Sequence, residues 1–268
     1  MSLRINNNTE AFNAHRQLMQ TSDKLSKSME KLSSGYRINS ASDDAAGLGI
    51  SEKMRGQVRG LAQAQRNIQD GVSMTQTAEG GLDEVHSMLQ RVRELAVQYK
   101  NGSLSTTNQA AVQTEVNALA SEIERIGATA QFNGINVLSG TTASVTFQVG
   151  ANDGETISVA LPSLGTTVGT SFTSLGAATA LTDIDAAIDR VSAARSNFGA
   201  VQNRLEHTLT VQATTQENLM SAESRIRDVD MADEMTKLTK SQILTQAGTA
   251  MLSQANQAPN SVLSLLRP

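Results

Sequence analysis

Apolar residues recur at helical spacing at both ends of the chain, and neither stripe is broad enough to bury itself. Near the start, Leu18, Leu25 and Leu32 repeat every seven residues, with Ser22 and Met29 four residues after the first two. Near the end, Met231, Met235, Leu238 and Gln242 step by four, three and four. Leu244, Ala247, Met251 and Ala255 follow in a shifted phase. A seven-residue repeat describes a helical seam that needs a partner helix. Two such seams at opposite ends predict that the termini pair with each other, with neighbouring subunits, or both.

The same periodicity lays out the middle. It predicts helix over 5–33, a break at Ser33-Ser34-Gly35, an irregular stretch at Asn39–Asp44, and a long helix over 46–100. That helix would reach about 80 Å, too long for an ordinary globular domain and typical of a rod. Gly56, Gly60, Gly71, Gly80 and Gly81 lie within it and are expected to mark close helix packing. Asn101-Gly102-Ser103 closes it, and Val112, Val116, Leu119, Ile123 and Ile126 predict a second helix over 105–130. After Gln131 the period becomes alternating. Val145, Phe147 and Val149, then Ile157, Val159 and Leu161, flank Asn152-Asp153-Gly154, the turn chemistry of a hairpin. Thr182 is the predicted N-cap of a helix over 183–225. The chain then flexes near Arg227-Asp228-Val229-Asp230, and Pro259 is expected to stop the last helix near 255. The fold class is mainly α: a long antiparallel helical rod or coiled coil made by the N- and C-terminal segments, with a small β-hairpin region at its tip.

Composition narrows what such a molecule does. Aromatic residues are 3% of the chain and Trp is absent, whereas Met numbers 10, which suits slim helix seams better than a broad core. Net charge is -4 with no basic block, so the footprint of a nucleic-acid-binding protein is missing. There is no cysteine, and His15, His86 and His207 are too dispersed for a metal motif, so no metal and no cofactor are expected. No apolar run approaches the roughly 18 residues of a membrane span, and the start of the chain lacks the succession of a cleaved signal peptide. Asp43-Asp44 and Asp228-Val229-Asp230 are the close carboxylates, with no nucleophile beside them. They are expected to cap helices or to lie on solvated polar faces, and the chain is not expected to be an enzyme.

Several segments resemble bacterial flagellin, the subunit of the flagellar filament. They are Met29-Glu30-Lys31-Leu32-Ser33-Ser34-Gly35-Tyr36-Arg37-Ile38-Asn39, Asp43-Asp44-Ala45-Ala46-Gly47-Leu48 and Ile50-Ser51-Glu52-Lys53-Met54-Arg55. Gln76-Thr77-Ala78-Glu79-Gly80, Gln90 through Gln98 and Phe132-Asn133-Gly134 extend the match. Gln254-Ala255-Asn256-Gln257-Ala258-Pro259 and Val262 through Arg267 resemble the family's C-terminal motif. Two departures stand out: Glu10 occupies a position that is commonly apolar, and Pro268 follows the usual terminal arginine. About 50 residues replace the large outer domains of many members, so the resemblance is to a minimal form.

The resemblance implies a domain plan. Residues 1–45 and 228–268 would form an inner coiled-coil domain and its spoke. Residues 46–130 and 183–227 would be the helices of a rod domain, and 131–182 its hairpin tip. It also implies a structural subunit that polymerises into the filament for swimming motility, exported unfolded through the flagellar channel to an extracellular place. Leu18, Leu25, Met29, Leu32, Met235, Leu238 and Met251 would serve inner coiled-coil assembly. Gln90, Arg91, Glu94, Leu95 and Gln98, with Glu115 on the facing helix, would form a subunit interface that a host Toll-like receptor reads on the monomer. Val262, Leu263, Leu265, Leu266 and Arg267 would be a tail for an export chaperone. Further partners implied are other copies of the chain and the junction and cap proteins, with no nucleic acid and no membrane insertion. The alternative within the same resemblance is a hook-filament junction protein.

Overall fold

A computed structural model describes residues 8–164, 168, 175 and 180–265, the side chains of 258–265 excepted. Helix α1 (Thr9–Ser34) begins where the Asn8 side chain accepts from the Ala11 amide at 3.0 Å. It ends at Gly35, whose N–H still reaches the Lys31 carbonyl and whose φ of 76° then turns the chain out of the helix. Helices α2 (Ala45–Tyr99) and α3 (Thr106–Thr129) follow, the latter capped by the Ser105 hydroxyl. Strands β1 (Gln131–Phe132) and β2 (Ile135–Asn136) pair through Asn133-Gly134, both at positive φ as a type I′ turn requires. Strands β3 (Ser144–Gln148) and β4 (Thr156–Ala160) form the hairpin predicted from alternation, with Val145 opposite Val159 and Phe147 opposite Ile157. Helices α4 (Ala180–Arg227) and α5 (Met231–Leu265) complete the described chain. It is a mainly α protein with short antiparallel β pairs.

The chain divides into two units: Met1–Arg55 with Leu219–Pro268, and Gly56–Asn218. In the first, α1 and α5 run antiparallel. Ser28 faces Glu234, Leu18 faces Gly248 and Asn8 faces Ala255. The residues turned toward the partner are Ala11, Ala14, Leu18, Thr21, Leu25, Ser28 and Leu32 on α1. On α5 they are Glu234, Leu238, Ser241, Thr245, Gly248, Leu252 and Ala255. Both series step by alternating threes and fours, the geometry of a coiled-coil seam.

The second unit holds the main apolar core. Met74, Leu82, Val85, Leu89, Val92 and Leu95 of α2 meet Val116 and Ile123 of α3 and Ile184, Val191 and Phe198 of α4, with Val159 of β4 closing the cluster. A smaller cluster joins Ile68 and Leu205 to Val149 and Ile157. Three of the predicted packing glycines lie in close contacts: a Cβ on Gly60, Gly71 or Gly81 would sit 3.1, 3.3 or 2.9 Å from Ala151, Leu205 or Leu138. Gly56 and Gly80 face open space, so their expected packing role is not met.

Two expected helix boundaries are corrected. Thr182 lies inside α4, which already includes Ala180, so it is not an N-cap. Pro259 does not stop α5, which continues to Leu265. A proline costs a helix the bond to the carbonyl four residues back. Here that carbonyl belongs to Ala255, and it accepts instead from the Asn8 Nδ2 at 2.7 Å. The carboxylates at the breaks act as caps. Asp44 accepts from the Gly47 amide, Asp43 from the Asn39 and Ser40 amides, and Asp230 from the Ala232 amide that opens α5.

Candidate assembly and recognition surfaces

The α1–α5 pair divides the residues expected in its seam. Leu18, Leu25, Leu32 and Leu238 do line it and are half-buried. Met29, Met235 and Met251 stand outside it, at 56%, 50% and 64% exposure. The sequence pattern on α5 mixes two stripes. The intramolecular seam is the row that starts at Glu234 and passes through Ser241 and Thr245, and its polar members hid it from a search for apolar repeats. Phe12, Met19, Ile243 and Leu244 add to the exposed apolar surface. Among the described residues of α1 and α5, the fully buried ones are Ser28, Glu234 and Ser241, all polar. The Ser28 hydroxyl donates to Glu234 Oε1 at 2.6 Å, and Lys237 Nζ lies 3.4 Å from Oε2.

At the other end of this unit, backbone bonds tie the two chain breaks together. The Arg37 amide donates to the Arg227 carbonyl at 2.7 Å and the Val229 amide to the Gly35 carbonyl at 3.0 Å. Arg227 is buried there with its guanidinium over the Tyr36 ring, 4.7 Å from the centroid, and bonded to the Glu52 carboxylate. That bond from Arg227, with a smaller contribution from Arg55, holds the Glu52 carboxyl below its ordinary value.

In the second unit, the residues read as a recognition face fall into two sets. Gln90, Arg91, Glu94 and Gln98 are exposed on α2, and Glu115 is exposed on α3. Arg91 Nη2 reaches Glu115 Oε1 at 2.9 Å and Nη1 reaches Glu94 at 3.1 Å, and these carboxylates raise the guanidinium above its ordinary value. Leu95 is the correction: it is 2% exposed, packed in the core, and presents nothing to a partner. One helical face carries Gln90, Arg91, Glu94 and Gln98 outward, and the turn of α2 puts Leu95 with Val92 and Leu89 inward. The exposed apolar neighbour is Val97, beside Arg93, which the sequence reading passed over. Arg93 Nε reaches Asp185 of α4 at 2.6 Å, so one turn of α2 is tied to α3 through Arg91 and to α4 through Arg93.

Of the tail, Val262, Leu263 and Leu265 lie in α5 with side chains outside the described residues, and Leu266 and Arg267 lie wholly outside them. Among the described residues no group of His, Asp and Glu is placed to hold a metal ion.

The family description "Bacterial flagellin N-terminal helical region" matches residues 5–143, and "Bacterial flagellin C-terminal helical region" matches residues 181–266. A flagellin of Halalkalibacterium halodurans is 53% identical over 270 residues, covering 98% of this chain and 99% of the relative. A flagellin of Bacillus subtilis is 47% identical, covering 99% of this chain and 100% of the relative. The flagellar filament 33 kDa core protein of Treponema phagedenis is 47% identical over 98% of this chain and 99% of its own length. The crystal structure of Bacillus cereus flagellin superposes with a TM-score of 0.50 at 29% identity, covering 55% of this chain and 88% of that one.

Proposed function

The chain belongs to the bacterial flagellin family, and on that footing we propose that it polymerises as a structural subunit of the flagellar filament, with α1 and α5 as its main assembly surface. One observation carries the reading. The α1–α5 seam buries polar residues fully and its leucines only in part, while Phe12, Met19, Met29, Met235, Ile243 and Met251 are each at least half exposed. A two-helix pair with so little apolar burial is marginal by itself. Stacking copies so that these exposed residues meet removes apolar surface from water at about 25 cal/mol per Å².

The finer parts of the reading follow from the family. The subunit leaves the cell through the flagellar channel without a cleaved signal and works outside it; no described helix is long and apolar enough to cross a membrane. The exposed Arg91–Glu115 pair with Gln90, Glu94 and Gln98 is a contact with a neighbouring subunit, and on the free monomer the same face meets a host Toll-like receptor. The tail from Val262 to Arg267 is held by an export chaperone before assembly, and junction and cap proteins bound the polymer at its ends.

Deleting residues 245–268 tests the assembly surface. The truncated chain is expected to keep the second unit folded and to form no filament, read by circular dichroism, sedimentation and negative-stain microscopy. Normal filaments from that chain would overturn the proposal. Long filaments grown from the purified full chain alone separate a filament subunit from a hook-filament junction protein, which is needed in a handful of copies.

A further inference from the structure

The α1–α5 seam has two flanks of opposite character. One carries Met29 and Met235, both at least half exposed. The other is a cleft of about 360 Å³ lined by Lys24, Lys27 and Lys31 of α1 and Lys237 and Lys240 of α5, with Ser28, Glu234 and Ser241 beneath them. In antiparallel coiled coils the flanking positions of the two helices face each other, and opposite charges there normally set the pairing. Here both helices present lysine.

The charge inside the cleft is only partly balanced by the protein, with Lys31 also acting on the Asp43 carboxylate. Lys237 pairs with Asp233 at 2.6 Å and with Glu234 at 3.4 Å. Lys24, Lys27, Lys31 and Lys240 form no ion pair among the described residues. Glu234, the one carboxylate lining the cleft, is already occupied by the Ser28 hydroxyl and Lys237. Ser241 is buried at the base. Lys24 and Lys31 are two turns apart, about 10 Å along the helix, which is about one Debye length at 0.1 M salt. The lysines therefore repel one another across the seam and along it.

We propose that this cleft binds a diphosphate group, whose oxygens bridge the ammonium groups of α1 to those of α5 and accept from the Ser241 hydroxyl. Lysine serves phosphate as a mobile point charge with three donors, and a cleft of this size admits two linked phosphates. The anion would replace repulsion across the seam by attraction and so tie α1 to α5. Binding needs only this helix pair and is independent of polymerisation.

The probe is inorganic pyrophosphate, added to the full-length monomer against sodium chloride at matched ionic strength. Chymotryptic cleavage within α1 and α5 is followed by mass spectrometry, and binding by calorimetry. Saturable binding and slower cleavage are expected with pyrophosphate and not with chloride. Lys27→Gln with Lys240→Gln should weaken binding about tenfold, as should Lys24→Gln with Lys31→Gln. The outlying Lys53→Gln should leave it unchanged. Equal protection by chloride, or pyrophosphate binding by both glutamine pairs as tight as by the unsubstituted chain, would overturn the proposal. Sedimentation with phosphatidylglycerol vesicles distinguishes the source of the phosphate: lysine-dependent binding to vesicles with no response to pyrophosphate would also overturn it.

Discussion

Asn8 donates its side-chain amide to the main-chain carbonyl of Ala255 at 2.7 Å while its Oδ1 accepts from the Ala11 amide at 3.0 Å. One side chain thus caps the start of α1 and satisfies the carbonyl that Pro259 leaves without a helical donor in α5. Helices α1 and α5 are joined at the position where each is short of a hydrogen-bond partner.

This relationship predicts coupling between Asn8 and Pro259. Asn8→Ala should cost about 1 kcal/mol through the lost cap and raise amide exchange in the turns of α5 around Ala255. Pro259→Ala restores a helical donor to that carbonyl, so Asn8→Ala should cost less in its presence. A double-mutant cycle read by thermal melting of assembled protein checks this. Equal costs in both backgrounds would disprove the clasp.

The buried Ser28–Glu234 contact predicts an asymmetry. Ser28→Ala leaves a carboxylate in the seam without its hydroxyl donor and should destabilise the α1–α5 pair by about 1–3 kcal/mol. Replacing both, Ser28→Ala with Glu234→Leu, removes the buried polar group altogether and should recover most of the loss. If the double variant is worse than Ser28→Ala alone in denaturant melts, the carboxylate has another role.

Acid should loosen the junction where Arg227 lies over Tyr36. The folded-state value of Glu52 is depressed, chiefly by its bond from Arg227. Its contribution is therefore present above the ordinary glutamate range and lost as pH falls below that range through the folded value. In a Tyr99→Phe chain, Tyr36 is the one remaining tyrosine of the two, so its fluorescence reports the step directly. Glu52→Gln should abolish the acid-dependent change. An unaltered transition in that variant would assign it elsewhere.

Arg91 and Leu95 should separate as variants. Leu95→Ala opens a cavity in the second unit's core and should cost about 2–5 kcal/mol of its stability. Arg91→Asp removes an exposed pair and should cost less than about 1 kcal/mol, while weakening receptor binding to monomer and polymerisation. Thermal melts beside a receptor-binding assay on monomer and on intact filament decide this. Full receptor activity in stable Arg91→Asp would make 90–98 a solvated helix face.

Local rules carried the sequence a long way. Gly35 ended α1 because glycine takes the positive φ of a helix end at no steric cost, Asn152-Asp153-Gly154 turned the hairpin, and Leu18, Leu25 and Leu32 marked the seam by their seven-residue step. Those features depend on neighbours along the chain, so residue types and spacing suffice to find them. The choice among competing faces does not. Met235 and Met251 match an apolar repeat as well as any seam residue, yet Glu234, Ser241 and Gly248 face α1, because a partner serine and a leucine's girth fit them there. Leu95 shares a sequence neighbourhood with the exposed Arg91 and Glu94, yet the core made with α3 and α4 takes it inward. Pro259 reads as a stop until Asn8, 251 positions earlier in the chain, supplies the missing donor. The sequence by itself determined where helices form and turn, since those choices rest on local backbone chemistry. Which side of each helix is buried, and which is left for partners, was decided by contacts between residues far apart in the chain.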